Sequence, residues 1–197
     1  FSNYSQTHLS KSRTMIGSNS IPYYQTSSTG VTQITPFILK TYWDQEAPYN
    51  NNTPLINGVH CPAGCNAIAA SQLMAYWKYP SSINGTSMQW NYLNSGTREI
   101  QTGKEDTSQL YCSQVAMLVS YVGQGINTNY TLDGSSSNIS NVVSFLSSLG
   151  YVTSGVSDYS ESSINSSINS GRPVIIRGTR FTDDNEYKGH CWLIDRY

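Results

Sequence analysis

Charge is what this 197-residue chain has least of: 12% of its residues are Asp, Glu, Lys or Arg, about half the share usual for a globular domain. Lys+Arg number 11 against Asp+Glu 12, for a formal net charge of -1. That balance excludes the electrostatic footprint of a nucleic-acid or anionic-membrane binder. Cysteine is also sparse. Cys61, Cys65, Cys112 and Cys191 are too few for a disulfide framework in a chain of this length, although one or two bridges stay open. No apolar run has the length of a membrane span, and the start at Phe1 offers neither Met nor a basic n-region. No signal peptide is read, and a processed or excised fragment is expected.

What is present is a polar surface of Ser, Asn, Thr and Tyr around 38% hydrophobic and 12% aromatic residues, enough for one core in a single domain with room for two lobes. Residues 1–30 have few aliphatic positions and no sustained period. They read as a polar tail, a strap over the surface, or a linker, and His8 within them reads as an exposed polar residue. From residue 31 the character changes. The run VTQITPFILKTYWDQEAPYNN mixes β-branched and aromatic residues with turn formers, and Gln45 lies between Trp43 and Pro48, where a loop can carry its amide to a helix N-terminus.

The stretch 60–80, HCPAGCNAIAASQLMAYWKYP, organises the rest. Gly64 breaks what precedes it, residues 66–78 run without Gly or Pro, and Tyr79-Pro80 ends them, which predicts a helix with Cys65 in its first turn. A thiol there points into the partial positive charge of unsatisfied backbone N–H groups, which favours the thiolate and makes Cys65 the candidate nucleophile. The competing reading is a buried core cysteine at the start of an Ala-rich helix. Cys61, four residues earlier, raises a metal or redox alternative. Its spacing lacks the paired clusters of a structural zinc site and is one residue too long for a thioredoxin-type motif.

Downstream, residues 81–103 read as a surface loop with a short strand and MQWNYL at its centre. Residues 106–123 read as a helix capped by Thr107 or Ser108 and stopped by Gly123 and Gly125, with Cys112 on its core side. Ser137 or Asn138 caps a helix with apolar Ile139, Val142, Val143, Phe145, Leu146 and Leu149, closed by Gly150. A short helix through Ile164 and Ile168 ends at Gly171, and RPVIIRGT and GHCWLIDRY form two strands around a polar hairpin. Helices first and strands last argue α+β. A cysteine nucleophile needs a base. His60 is too near Cys65 in sequence to fold back on it, which leaves His190 at the head of the last strand. Alternation puts His190, Trp192 and Ile194 on one face and Gly189, Cys191, Leu193 and Asp195 on the other.

The segments PFILKTYWDQEAPYN, CPAGCNAIAASQLMAYWKYP, DGSSSNISNVVSFLSSLGY, SGRPVIIRG and GHCWLIDRY follow one another as in the streptopain family of bacterial cysteine peptidases, which the chain resembles over residues 31–197. The resemblance implies a papain-like two-lobed fold, with a helical lobe carrying the nucleophile helix and an antiparallel sheet carrying the catalytic His. It also implies a cysteine endopeptidase acting through a thioester acyl-enzyme. Cys65 matches the nucleophile, His190 the general base, and Gln45 the side-chain donor to an oxyanion hole completed by the Cys65 N–H. Losing one such donor costs about 100- to 1,000-fold in turnover. Ser135, Ser136 and Ser137 match a Gly/Ser-rich segment near the substrate cleft, and Gly189 joins them as substrate-binding. The implied partner is a protein or peptide substrate, with a pro-segment or inhibitor protein as a further one. No metal, organic cofactor or nucleic acid is implied. Together with the composition, the resemblance implies a secreted or cell-surface bacterial protein made as a zymogen, of which residues 1–30 are a pro-segment remnant or linker.

Three departures from the family pattern stand out. The family continues past the His strand into a Trp-rich segment, so a domain of residues 31–197 lacking its C-terminal end is expected. Asn66 stands where the family mostly has Val, and Cys191 where a small Ala is usual. Two other readings remain: an inactive peptidase-like binding module or incomplete fragment, and a cysteine enzyme that transfers its acyl group to an amine.

Overall fold

A computed structural model describes residues 14–16, 26–27, 30–31, 39–94, 109–181 and 187–195. The chain forms two units, one of Leu39–Tyr151 and one of Phe1–Ile38 with Val152–Tyr197.

The first unit is built around the Gly- and Pro-free run after Gly64, which forms helix α1, Cys65–Trp77. Its buried side chains are mostly small, with Ala67, Ala69, Ala70 and Ala75 beside Ile68 and Met74, so neighbouring helices can come close. The helix ends at Lys78 in the left-handed conformation. Ahead of α1 comes a hairpin of β1, Leu55–Ile56, and β2, Val59–His60. After it comes a second hairpin of β3, Ser82–Ile83, and β4, Thr86–Ser87. This hairpin supplies the short strand expected within 81–103, and the MQWNYL run follows it. Trp90–Leu93 form a helical turn, α2, because Leu93 is fully buried and the Trp90 indole donates to the Pro80 carbonyl at 2.7 Å.

Helix α3, Gln109–Gly125, packs on α1 with Val115, Leu118, Val119 and Val122 buried. The capping residues expected at 107 and 108 lie outside the described residues. Gly123 lies within the helix, and Gly125 is its last residue, where the sequence expects the stop. A Cβ on Gly123 would collide with the Tyr130 hydroxyl, and one on Gly125 with the Phe145 ring, so both glycines make room for neighbouring rings. Helix α4, Ile139–Ser148, starts as the sequence predicts, with the Asn138 side chain accepting from the Ser140 N–H at 2.9 Å. Ile139, Val142, Phe145 and Leu146 are its buried face.

The second unit is an antiparallel four-stranded sheet with one helix. Strands β9, Val174–Phe181, and β10, Tyr187–Ile194, pair along their whole length. Thr14–Ile16, β5, lies between β9 and β8, Val156–Ser157, so part of the polar N-terminal segment is paired within the sheet. A separate two-stranded ladder joins β6, Thr26–Ser27, to β7, Gly30–Val31. Helix α5, Glu161–Asn169, packs on the sheet through Ile164, which meets buried Val174 and Ile176 with Tyr159, Trp192 and Ile194 around them. The ladder pairs Ile194 with Val174, Trp192 with Ile176 and His190 with Gly178, so one face of the sheet runs from the apolar core under α5 out to His190. Mixed helices and antiparallel strands give the α+β class that the element order predicts.

Candidate functional site

Cys65 is the first residue of α1, behind Gly64 at the N-cap, and no side chain caps this end. Gly64 has φ +88, and a Cβ there would lie 3.0 Å from the Ser135 carbonyl oxygen and 3.4 Å from its Cβ. Glycine is thus required twice at this position, for its backbone conformation and for the approach of the 135–137 segment.

The loop carrying Gln45 is tied to the same helix end. The Gln45 carbonyl accepts from the Ala63 N–H at 2.9 Å, two residues ahead of Cys65. Upstream, the Gln72 amide on α1 donates to the Thr41 carbonyl at 3.0 Å and to its hydroxyl at 3.2 Å. Trp43 and Tyr49 are buried with ring centroids 5.9 Å apart, and Asp44 accepts from the Glu46 N–H at 2.8 Å, so the loop is fixed on both sides of the half-buried Gln45.

Residues 135–137 meet the helix on its other side. Ser135 packs on Gly64, and Ser136 exchanges backbone hydrogen bonds with Asn129, at 2.8 and 3.1 Å. The Asn66 amide donates to the Ser137 carbonyl at 2.7 Å and to its hydroxyl at 2.9 Å. Cys65, the Gln45 loop and residues 135–137 thus come together within the first unit. The Asn66 contact was not foreseen. Its only signal in the sequence was a polar residue where the family mostly has Val.

His190 and Gly189 belong to the second unit, near the start of β10. His190 is exposed beyond the cover of α5, and on one side its imidazole stacks on Trp192, centroids 5.8 Å apart at 23°. Burial by the atoms around it holds its pKa below the ordinary histidine value. Gly178 makes this stack possible, since a Cβ there would lie 3.0 Å from the tip of the Trp192 indole. On the opposite face Cys191 is buried, and the Arg177 guanidinium lies over Gly189, where a Cβ would be 3.1 Å from Nη2. His60 is engaged elsewhere, its Nδ1 lying 2.8 Å from the Thr53 carbonyl oxygen, and His8 lies outside the described residues. No disulfide joins Cys61, Cys65, Cys112 and Cys191. Among the described residues no three His, Cys, Asp or Glu side chains gather as metal ligands, and no helix is long and apolar enough to cross a membrane.

Among curated proteins, none matches the sequence. Among solved structures, active wild-type interpain A cysteine protease of Prevotella intermedia is similar with a TM-score of 0.66 at 18% identity, over 83% of this chain and 77% of that one. A mutant prointerpain A fragment of the same organism is similar with a TM-score of 0.59 at 17% identity, over 91% of this chain and 62% of that one. This chain therefore spans less than two thirds of the precursor fragment. At such identities the likeness establishes the fold, that of a papain-like cysteine protease. The profile of the Peptidase C10 family matches residues 43–197, from Trp43 ahead of the Gln45 loop through the Gly64-Cys65 helix to the His190 strand. The chain belongs to the Peptidase C10 family, the streptopain family of cysteine peptidases that its motifs resemble.

Proposed function

We propose that the chain is an endopeptidase that cleaves bonds within protein substrates through a Cys65–His190 dyad. The observation that carries this reading is the convergence on the Cys65 helix end of the loop bearing Gln45 and of residues 135–137. His190 takes the Cys65 proton, and the sulfur attacks the scissile carbonyl carbon. The Gln45 amide and the Cys65 N–H hold the negative oxygen of the tetrahedral intermediate. The C–N bond then breaks, His190 returns the proton to the departing amine, and a thioester remains on Cys65. Water attacks that thioester with His190 again as base, releasing the carboxylic acid and restoring the thiol. Residues 135–137 and Gly189 line the substrate's path. Hydrolysis is favoured over transfer to an amine because the family is one of peptidases.

We extend the proposal to biology: a secreted bacterial enzyme made as a zymogen. The similarity to a prointerpain fragment supports a pro-segment partner. Replacing Cys65 by Ala should abolish cleavage of a denatured protein, a loss of about 10^4-fold or more, with helical content unchanged. A folded Cys65→Ala protein that cleaves as fast as the parent would sink the proposal.

A further inference from the structure

The residues on either side of Cys65 both take hold of one distant loop. Gly64 receives Ser135 so closely that a Cβ would lie 3.0 Å from its carbonyl oxygen. Asn66 grips Ser137 through both its backbone carbonyl, at 2.7 Å, and its hydroxyl, at 2.9 Å, across 71 positions of sequence. Between them Ser136 is held from the far side by its paired backbone bonds to Asn129. The loop is therefore referenced to the nucleophile through its two covalent neighbours.

An apolar residue at position 66 would fill the same space without this grip. Asn66 is 6% exposed, and burying an amide there is costly unless its N–H groups are used. Ser137, which supplies both acceptors, is half-buried. The amide carbonyl of Asn66 is itself buried without a hydrogen-bond partner, a cost that ordinary core packing does not explain. The contact thus acts on the position of the loop more than on the solvation of the groups it joins.

We infer that Asn66 is a positioning residue that clamps residues 135–137 to the nucleophile helix and so sets the wall along which an extended polypeptide substrate lies beside Cys65. This rests on the proposed endopeptidase function. The clamp consists of the Asn66 amide on the Ser137 carbonyl and hydroxyl, so its loss should alter substrate placement and leave the reactivity of the thiol alone.

The experiment compares parent, Asn66→Val, Ser137→Ala and the double variant on a series of fluorogenic peptides, together with Cys65 alkylation by iodoacetamide and thermal unfolding. In Asn66→Val, KM should rise about ten-fold with kcat within about three-fold, the loss expected for two hydrogen bonds. The iodoacetamide rate and its pH dependence should stay those of the parent. Ser137→Ala, which removes one of the two acceptors, should raise KM by less, and the double variant should be no worse than Asn66→Val. An unchanged KM in Asn66→Val, a fall confined to kcat, or fully additive single effects would overturn the clamp. If Asn66→Val unfolds, Ser137→Ala and its KM decide the matter alone. A parent that alkylates but turns over no peptide would sink the endopeptidase reading and this inference with it, whereas an active parent indifferent to Asn66→Val sinks only the inference.

Discussion

The two candidate catalytic side chains are held in opposite ways. Around Cys65, position comes from packing and hydrogen bonds that converge from three segments: the Gln45 loop on Ala63, Ser135 on Gly64, and Ser137 on Asn66. Around His190, position comes from strand register and one stacked ring, at the end of an apolar face. A nucleophile that must meet a substrate carbonyl within a few tenths of an ångström gains from many fixed neighbours. A base that must first accept and then release a proton gains from a surface that leaves its ring free on one side.

The largest break in that comparison should come from Gly64→Ala. The new methyl group is forced against the Ser135 carbonyl, and alanine must adopt φ +88. Stability should fall by about 1–3 kcal/mol, and peptide turnover by about 100-fold through misplacement of the thiol. Urea unfolding and kcat measured together would show it, and a neutral effect on both would mean that the helix end is not tightly packed.

A smaller effect sharpens the other side. In Trp192→Ala the imidazole loses its stacked neighbour and part of its burial, so its pKa should climb back toward about 6.5. Burial disfavours the imidazolium, so removing it lets His190 hold its proton to higher pH. An NMR titration of His190 in a Cys65→Ala background, where no thiolate can raise the pKa, reads this directly. Trp192→Phe should keep part of the shift, and equal values in all three proteins would count against the stack as its cause. Stability should change little compared with Gly64→Ala.

Much of this arrangement was legible in the chain. Gly64 ahead of a Gly- and Pro-free run predicts α1 and the place of Cys65, and the Asn138 cap with its apolar face predicts α4. The two-residue alternation around His190 predicts that Trp192 shares its face, as the ladder shows. What local pattern could not convey was the use of space between segments distant in sequence. Gly123 reads as a helix stop by propensity, yet it lies inside α3, and both it and the terminal Gly125 make room for a ring, Tyr130 and Phe145. Trp90 falls in a stretch that reads as surface loop with a short strand, yet its bond to the Pro80 carbonyl holds a helical turn. Asn66 differs from the family's usual residue, but only the tertiary contact to Ser137 gives that difference a physical meaning.

The central claim is that His190 activates Cys65, and it is tested most directly by the rate of Cys65 alkylation by iodoacetamide from about pH 4 to 9, a range that brackets the free-thiol pKa. Parent and His190→Ala are compared, with Cys65→Ala as the blank for the other three thiols. The dyad predicts a reactive fraction in the parent that titrates well below the free-thiol value of about 8.5, and a shift toward that value in His190→Ala. A titration near 8.5 in the parent, or one that His190→Ala leaves unmoved, would contradict it.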